Sequence, residues 1–338
     1  MITEKEVVLS GIRATGRLHI GNYFGVLKRF ASYSKDPTKK CFYFIADFHT
    51  LTTLKEAELV KSHLPNVVLD YLAAGIDAEQ AVIYAQSSIP EICELSWFLA
   101  CLSPIGELQR MPTFKDKIKK QPDNINVGLF YYPVLMAADI LAPRANLVPV
   151  GKDQEPHLEF TCSLAKKFNR HFGEFFPVPN ALTSEMITVP GLESMNQDGS
   201  FSKMGKSDNN TINLSDTPEM IWQKIRVSPT DPSRIHKSDH GNPQKCAISA
   251  LHRFTSTNDD QQKCSDGCLT AKIGCIECKK ILANNLSLLL EPFQHYRQKL
   301  SHKQNLVKDV LVEGARKARV VISETVNYVR EKMGIVGF

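Results

Sequence analysis

A continuous apolar run that closes on an acid constrains this chain most: CFYFIAD, Cys41–Asp47. Seven residues are too few for an ordinary helix, and an unbroken run of aromatic and β-branched side chains suits a strand buried on both faces. That is the position of an inner strand in a parallel sheet. The residues before it fit the same reading. Glu6–Ser10 is a short strand pattern, Gly11 and Gly16 mark a turn, and a helix starts near Gly21 and runs through Val26, Leu27 and Phe30. The alternation continues. Glu56–Ala74 has apolar residues at helical spacing, Ala81–Ala85 is a short apolar run, Glu91–Leu102 is helical, Leu147–Val150 is strand-like and Glu155–Phe168 is helical. Strands alternating with helices predict an α/β fold, a doubly wound parallel sheet of Rossmann-like type with right-handed crossovers.

The texture changes near Thr211, where strand signals fade. Thr217 caps a helix whose first residue is Pro218 and which runs to about Arg226. Ser228–Asn242 is rich in Pro, Ser, Asp and Gly and reads as a loop; Lys279–Glu291 and Leu306–Glu331 have helical patterns. At 338 residues the chain is too long for one compact core. The expected division is an α/β domain over 1–211 and a helical domain over 212–338. No run of about 18 apolar residues is present, so no membrane-spanning helix is expected. The start, MITEKEVVLSGI, lacks the basic and long apolar stretches of a signal peptide, and the expected compartment is the cytoplasm. A net charge of +5 permits a polyanionic partner without requiring one.

Four segments carry chemistry. The first strand, its Gly-rich turn and the following helix bring free backbone N–H groups and a positive helix end to one place, with His19, Gly21 and Asn22 beside it. KMGKS (Lys203–Ser207) lies in a segment rich in Gly, Ser, Asp and Asn, where two ammonium groups could neutralise a polyphosphate. A solvated basic loop is the alternative. In YYPVLMAADIL (Tyr131–Leu141), Pro133 suits the first turn of a helix, and Met136 and Asp139, three apart, share one helix face. That carboxylate either accepts an N–H from a flat apolar ligand or is a surface acid. VPVGKDQ (Val148–Gln154) follows a strand and opens a helix, a ligand-facing position in doubly wound sheets. Of nine cysteines, Cys246, Cys268, Cys275 and Cys278 are spaced C-x21-C-x6-C-x2-C. Four thiolates can hold zinc or an iron–sulfur cluster, and the alternative is buried free thiols. Cys41, Cys93, Cys101 and Cys162 lie in apolar patterns and are expected in the core.

Taken in order, SGIRATGRLHIGNYFG, ADFHTLT (Ala46–Thr52), IGELQRM (Ile105–Met111), TFKDK (Thr113–Lys117), YPVLMAADIL, VGKDQ and KMGKS resemble the tryptophanyl-tRNA synthetase family of class I. TGRLHIGN and KMGKS, about 180 residues apart, are similar to that class's HIGH and KMSKS signatures, with Gly205 in place of the usual Ser. The resemblance implies catalytic roles on the ATP phosphates for Lys117, Lys203 and Lys206. It implies an ATP site completed by Arg13, Thr15, Gly16, His19, Gly21, Asn22, Gly151, Asp153, Gln154, Met204 and Ser207. It implies that Asp139 accepts the indole N–H of L-tryptophan, in a pocket lined by Ser10, His49, Tyr132, Met136, Ile140, Val148, Val150 and Gln154. The implied activity is tryptophan–tRNA ligation: ATP and Mg²⁺ activate the amino acid, which is then loaded onto tRNA(Trp). A tyrosyl-specific relative and an inactive tRNA- or nucleotide-binding paralogue are the alternatives. The resemblance further implies a homodimer meeting through an insertion around 105–140, and anticodon contact by the helical domain. One branch of the family carries a [4Fe–4S] cluster on a similar four-cysteine pattern. Here the first gap is one residue shorter, Cys264 is a spare thiol, and Zn²⁺ is the alternative occupant.

Overall fold

The computed structural model describes residues 5–112, 114, 115, 118, 122–182, 187–205 and 210–335. Five strands form one sheet: β1 (Glu6–Ile12), β2 (Lys39–Ile45), β3 (Val82–Ala85), β4 (Leu147–Val148) and β5 (Asn180–Ala181). Every pairing is parallel and the order is β3-β2-β1-β4-β5. The β1–β2 register runs from Glu6 opposite Lys39 to Ile12 opposite Ile45. The run that reads as an inner strand is one: Cys41 to Ile45 are all buried, with β1 on one side and β3 on the other. The chain winds outward from β1 to β3, then returns to place β4 on the other side of β1. The carboxyl ends of β1 and β4 therefore border the point where strand order reverses, the usual ligand crevice of such sheets. Asn146 joins the two strands by accepting from the Val7 N–H through Oδ1 and donating its own N–H to the Val7 carbonyl, both at 2.9 Å.

The chain forms two compact units. The first holds the described residues of Met1–Thr15, Phe30–Met186 and Gln304–Phe338. Besides the sheet it contains α1 (Ala57–Ala73), α2 (Glu91–Leu102), α3 (Val127–Leu141), α4 (Glu155–Phe172) and the last long helix of the chain, Leu306–Lys332. That helix buries Ala318, Ile322, Val326 and Val329 in the same core as Phe42, Tyr84, Ile92 and Leu95. Its approach to β3 is set by Gly314: a Cβ there would lie 1.7 Å from the Ile83 carbonyl oxygen. Pro133 is a correction to the sequence reading. It lies in the middle of α3, whose start is fixed instead by Asn126, the Oδ1 of which accepts from the Leu129 N–H at 3.0 Å. A cap seven residues upstream outcompetes the proline as a start signal, and burial of Pro133 holds the helix through the lost N–H.

The second unit holds Gly16–Arg29 and the described residues of Ile187–Lys303, with α5 (Pro218–Val227), α6 (Ala247–Thr255), α7 (Asn258–Leu269) and α8 (Cys275–Ser301). The helix Leu306–Lys332 is accordingly α9. Thr217 caps α5 as its sequence predicts, accepting from the Met220 N–H at 3.3 Å with Pro218 next. Residues far apart in sequence are joined here: Ile20 donates to the Ile212 carbonyl and Leu214 to the Leu18 carbonyl, each at 2.9 Å. Among the described residues, no helix is long and apolar enough to cross a membrane.

Candidate functional site

In the first unit, polar side chains gather at the carboxyl ends of the strands. Asp139 projects from α3 and is 1% exposed, which excludes the surface-acid reading. His49 follows β2, and its Nε2 lies 2.8 Å from Asp139 Oδ2. Gln86 follows β3 and donates Nε2–H to both carboxylate oxygens, at 2.8 and 2.9 Å. Its Oε1 accepts from the His49 backbone N–H at 3.4 Å, which closes the set. Burial raises the Asp139 pKa, and the hydrogen bonds from His49 and Gln86 work against that rise. The site therefore contains a carboxylate that is expensive to ionise and is kept usable by two neighbours. Sequence reading missed Gln86. Its position directly after a parallel strand is the signal that could have found it.

Aromatic and apolar side chains lie on the same elements. Tyr132 is buried on α3, with its hydroxyl 2.7 Å from His157 Nε2 and its ring 6.2 Å from that of His49. His157, on α4, is another residue that sequence reading did not single out. Ser10, at the end of β1, donates its hydroxyl to the Pro149 carbonyl at 3.1 Å, across the strand-order reversal. Val148, Val150 and Ile140 are buried, and Met136 is partly buried one turn from Asp139. Tyr84 has a fully buried hydroxyl without a hydrogen-bond partner, and its pKa is driven well up by burial and then by the Asp139 charge. Arg13 follows β1, with Nη1 buried and without a hydrogen-bond partner. Burial lowers its pKa, and the nearby Tyr132 partly offsets this. Gly151 is the residue before a short 3₁₀ turn, Lys152–Gln154, that leads into α4; Gln154 donates Nε2–H to Asp153 at 2.7 Å. Thr15 is partly buried at the end of this unit's first segment.

In the second unit His19 is the N-cap of the short helix Ile20–Asn22, and Asn22 Oδ1 accepts from the His19 N–H at 3.1 Å. Gly21 leaves room for the His19 ring as it stands: a Cβ would lie 2.8 Å from His19 Nδ1. Gly16 has a φ of 145°, which favours glycine. Met204 is buried and Lys203 exposed. Asn210 ties the segment together, accepting from the Gly205 N–H at 2.9 Å and donating to the Lys203 carbonyl at 3.3 Å. Lys117, Lys206 and Ser207 lie outside the described residues.

The cysteines gather at the meeting of α6, α7 and α8. Cys246 caps α6, Cys268 lies near the end of α7, and Cys275 and Cys278 are in the first turn of α8. Cys278 is under the electrostatic influence of Cys264, Cys246 and Cys268, and Cys268 under that of Cys275. Cys268 Sγ accepts from Arg234 Nη1 at 3.7 Å. Cys264 is buried, and a hydrogen bond from the Cys278 thiol holds its pKa below that of an ordinary thiol. Cys278 Sγ also lies 3.4 Å from His252 Nε2. Arg234, His236, Lys237 and Lys280 line a groove with Cys275 and one acid, Glu277, so that cations are in excess. Of the other cysteines, Cys41 is buried as expected; Cys162 is partly buried, and Cys93 and Cys101 are exposed, a correction to the core reading. Both exposed residues lie on the outward side of α2, where a stripe of apolar type extends past the buried face.

Known proteins resemble this chain over nearly all its length. Residues 2–291 match the family model described as tRNA synthetases class I (W and Y). A tryptophan–tRNA ligase of Deinococcus radiodurans is 39% identical over 332 residues, 97% of this chain and 98% of the relative. One from Thermotoga maritima is 38% identical over 334 residues, 97% and 99% of the two chains. Among solved structures, tryptophanyl-tRNA synthetase of Campylobacter jejuni complexed with ADP and tryptophan superposes with a TM-score of 0.85 at 32% identity, covering 97% of this chain and 99% of that one.

Proposed function

The chain belongs to the class I tryptophanyl-tRNA synthetases, and on that premise we propose that it joins L-tryptophan to tRNA(Trp) at the expense of ATP. The observation that carries the amino-acid specificity is Asp139. A carboxylate 1% exposed, with its oxygens already held by His49 and Gln86, is fixed in place before any ligand arrives. An indole N–H satisfies its remaining acceptor capacity, while the indole faces fit against Tyr132, Met136, Val148 and Val150. Phenylalanine brings no N–H and leaves the buried carboxylate without that partner, so it is rejected.

The chemistry needs no protein nucleophile. The tryptophan carboxylate attacks the α-phosphorus of ATP, and pyrophosphate leaves with the Mg²⁺ that ATP brings as part of the substrate. The 2′-hydroxyl of the tRNA's terminal adenosine then attacks the adenylate carbonyl and AMP departs. Positioning and charge neutralisation supply the catalysis. Arg13 supports this, since its buried Nη1 offers a donor to an anionic group. Lys203, with Lys117 and Lys206, meets the phosphates; His19, Gly21 and Asn22 meet the nucleotide at a helix start. ATP–pyrophosphate exchange across all twenty amino acids tests the proposal. Exchange with tryptophan alone is expected. Tyrosine-dependent exchange overturns the pocket assignment, and no exchange with or without tRNA favours an inactive paralogue.

For the helical residues after 211 we propose anticodon contact, supported by the basic groove of Arg234, His236, Lys237 and Lys280. We assign a structural [4Fe–4S] cluster to Cys246, Cys268, Cys275 and Cys278. The donor set fits: four thiols lie within electrostatic reach, and Arg234 donates to the Cys268 sulfur, as hydrogen bonds do around such clusters. A homodimer through the region of 105–140 is supported by large apolar side chains left in solvent: Trp97 is 66% exposed, Ile105 66% and Val127 79%. The compartment is that of its tRNA substrate, the cytoplasm.

A further inference from the structure

We infer that Asp47, the acid that closes the CFYFIAD run, is a positioning residue for the amino-acid pocket: it clamps the turn after β3 to the turn after β2 and so fixes Gln86 on Asp139. The inference rests on the tryptophan reading above. β2 and β3 pair in parallel as far as Ile45 opposite Ala85, and both strands stop there. Beyond that point Asp47 opens a short helix, Asp47–Thr50, and Gln86 opens a short 3₁₀ turn, Gln86–Ser88. Continuing the register two residues sets Asp47 opposite Ser87. There a side chain takes over from the backbone ladder. Asp47 Oδ1 accepts from the Ser87 N–H at 2.9 Å and from the Phe48 N–H at 3.0 Å, and Oδ2 accepts from the Ser87 hydroxyl.

Asp47 is buried, and its two oxygens take these three bonds. Hydrogen bonds to a carboxylate are about twice as strong as neutral ones. Gln86 is thus held on both sides, by the ladder at Ala85 and by Asp47 at Ser87. Its amide then donates to both Asp139 oxygens, and its Oε1 accepts from the His49 N–H on the turn that Asp47 opens. A role through charge has the opposite sign. The Asp47 charge raises the Asp139 pKa and so works against the acceptor that tryptophan needs. What Asp47 contributes is geometry: a Gln86 free to swing away leaves the buried Asp139 with one donor fewer.

Calorimetric titration of the full-length protein tests this. The amino acid titrated is the one that supports pyrophosphate exchange in the unmutated protein, L-tryptophan on the reading above. A failure of that reading shows at this step, and a failure of the inference shows only in the variants. Asp47→Ala should raise the tryptophan Kd about tenfold, with the KM for ATP little changed. Asp47→Asn should recover most of the loss, since its Oδ1 still accepts the two N–H bonds and its Nδ2 donates to the Ser87 hydroxyl. In a Gln86→Ala background, Asp47→Ala should change the Kd by less than about twofold, because the clamp acts through Gln86. Should Asp47→Ala not fold, Ser87→Ala carries the test, with a rise of about threefold that likewise vanishes in the Gln86→Ala background. An unchanged Kd in a folded Asp47→Ala protein, an equal loss in Asp47→Asn, or an undiminished loss in the Gln86→Ala background overturns the inference.

Discussion

At Asp139 two opposing effects meet on one side chain. Burial favours the protonated acid, while His49 and Gln86 favour the carboxylate, and burial wins, so the pKa lies above that of an ordinary aspartate. The sign follows directly. The native state holds this proton to higher pH than the unfolded chain does, so ionisation costs stability above the raised pKa, and the cost fades as pH falls through it. Asp139→Asn should therefore raise the melting temperature of the ligand-free protein at pH 7, with a smaller gain at pH 4.5. A gain that grows on acidification would contradict the assignment. Tryptophan binding runs the other way, because it needs the ionised acceptor. Asp139→Ala should lower kcat/KM for tryptophan in pyrophosphate exchange by about 2 kcal/mol, roughly 30-fold, with the KM for ATP little changed. Unchanged tryptophan kinetics would remove Asp139 from the pocket. The chain shows Met136 and Asp139 on one helix face, but their spacing leaves open whether the carboxylate is a ligand acceptor or a surface acid, and only its burial on α3 decides against the surface. Gln86 was not legible, because a glutamine after a short strand carries no pattern until the sheet brings it across to α3.

Among the elements, the inner strands and the Thr217 cap were readable, while β5, two residues long, carried no strand pattern. β2 announced itself by continuous burial, and α5 by Thr217 and Pro218. Pro133 misled because a proline marks a first turn only where no better cap lies upstream. The partner of α9 was hidden for another reason. A stripe such as Ala318, Ile322, Val326 and Val329 shows that a helix packs, and does not say on what. Gly314 holds the missing information, since the missing Cβ lets α9 press against the Ile83 carbonyl. Gly314→Ala places a carbon where backbone oxygen lies, and backbone cannot rotate away as a side chain can. About 3 kcal/mol of destabilisation is expected, read as a lower denaturant midpoint. A shift under 0.5 kcal/mol would mean that α9 packs elsewhere. Mild accommodation is ruled out by the 1.7 Å separation.

For the whole molecule, sequence order and spatial grouping differ. The first unit takes residues from both ends of the chain, and the second takes Gly16–Arg29 together with residues beyond 187. This grouping rests on backbone bonds such as Ile20 to Ile212, which leave no trace in composition or periodicity. Deleting 304–338 should thus damage the α/β unit, although the cut is made far from it in sequence. The deletion removes Ile322, Val326 and Val329 from the core, each worth roughly 1.5–3 kcal/mol, which together approach the stability of a typical domain. The shortened chain should lose the cooperative unfolding transition of the sheet and bind a hydrophobic dye at pH 7. A soluble product with an unchanged transition would show that α9 is dispensable.

The placement of α9 also sets a timetable. Synthesis runs from the amino end, so every strand of the sheet has left the ribosome well before the helix that covers β3. Until then a parallel edge strand stands uncovered in a crowded cell, the kind of surface on which nascent chains pair with one another. For this enzyme the hazardous interval of its manufacture ends only with its final helix.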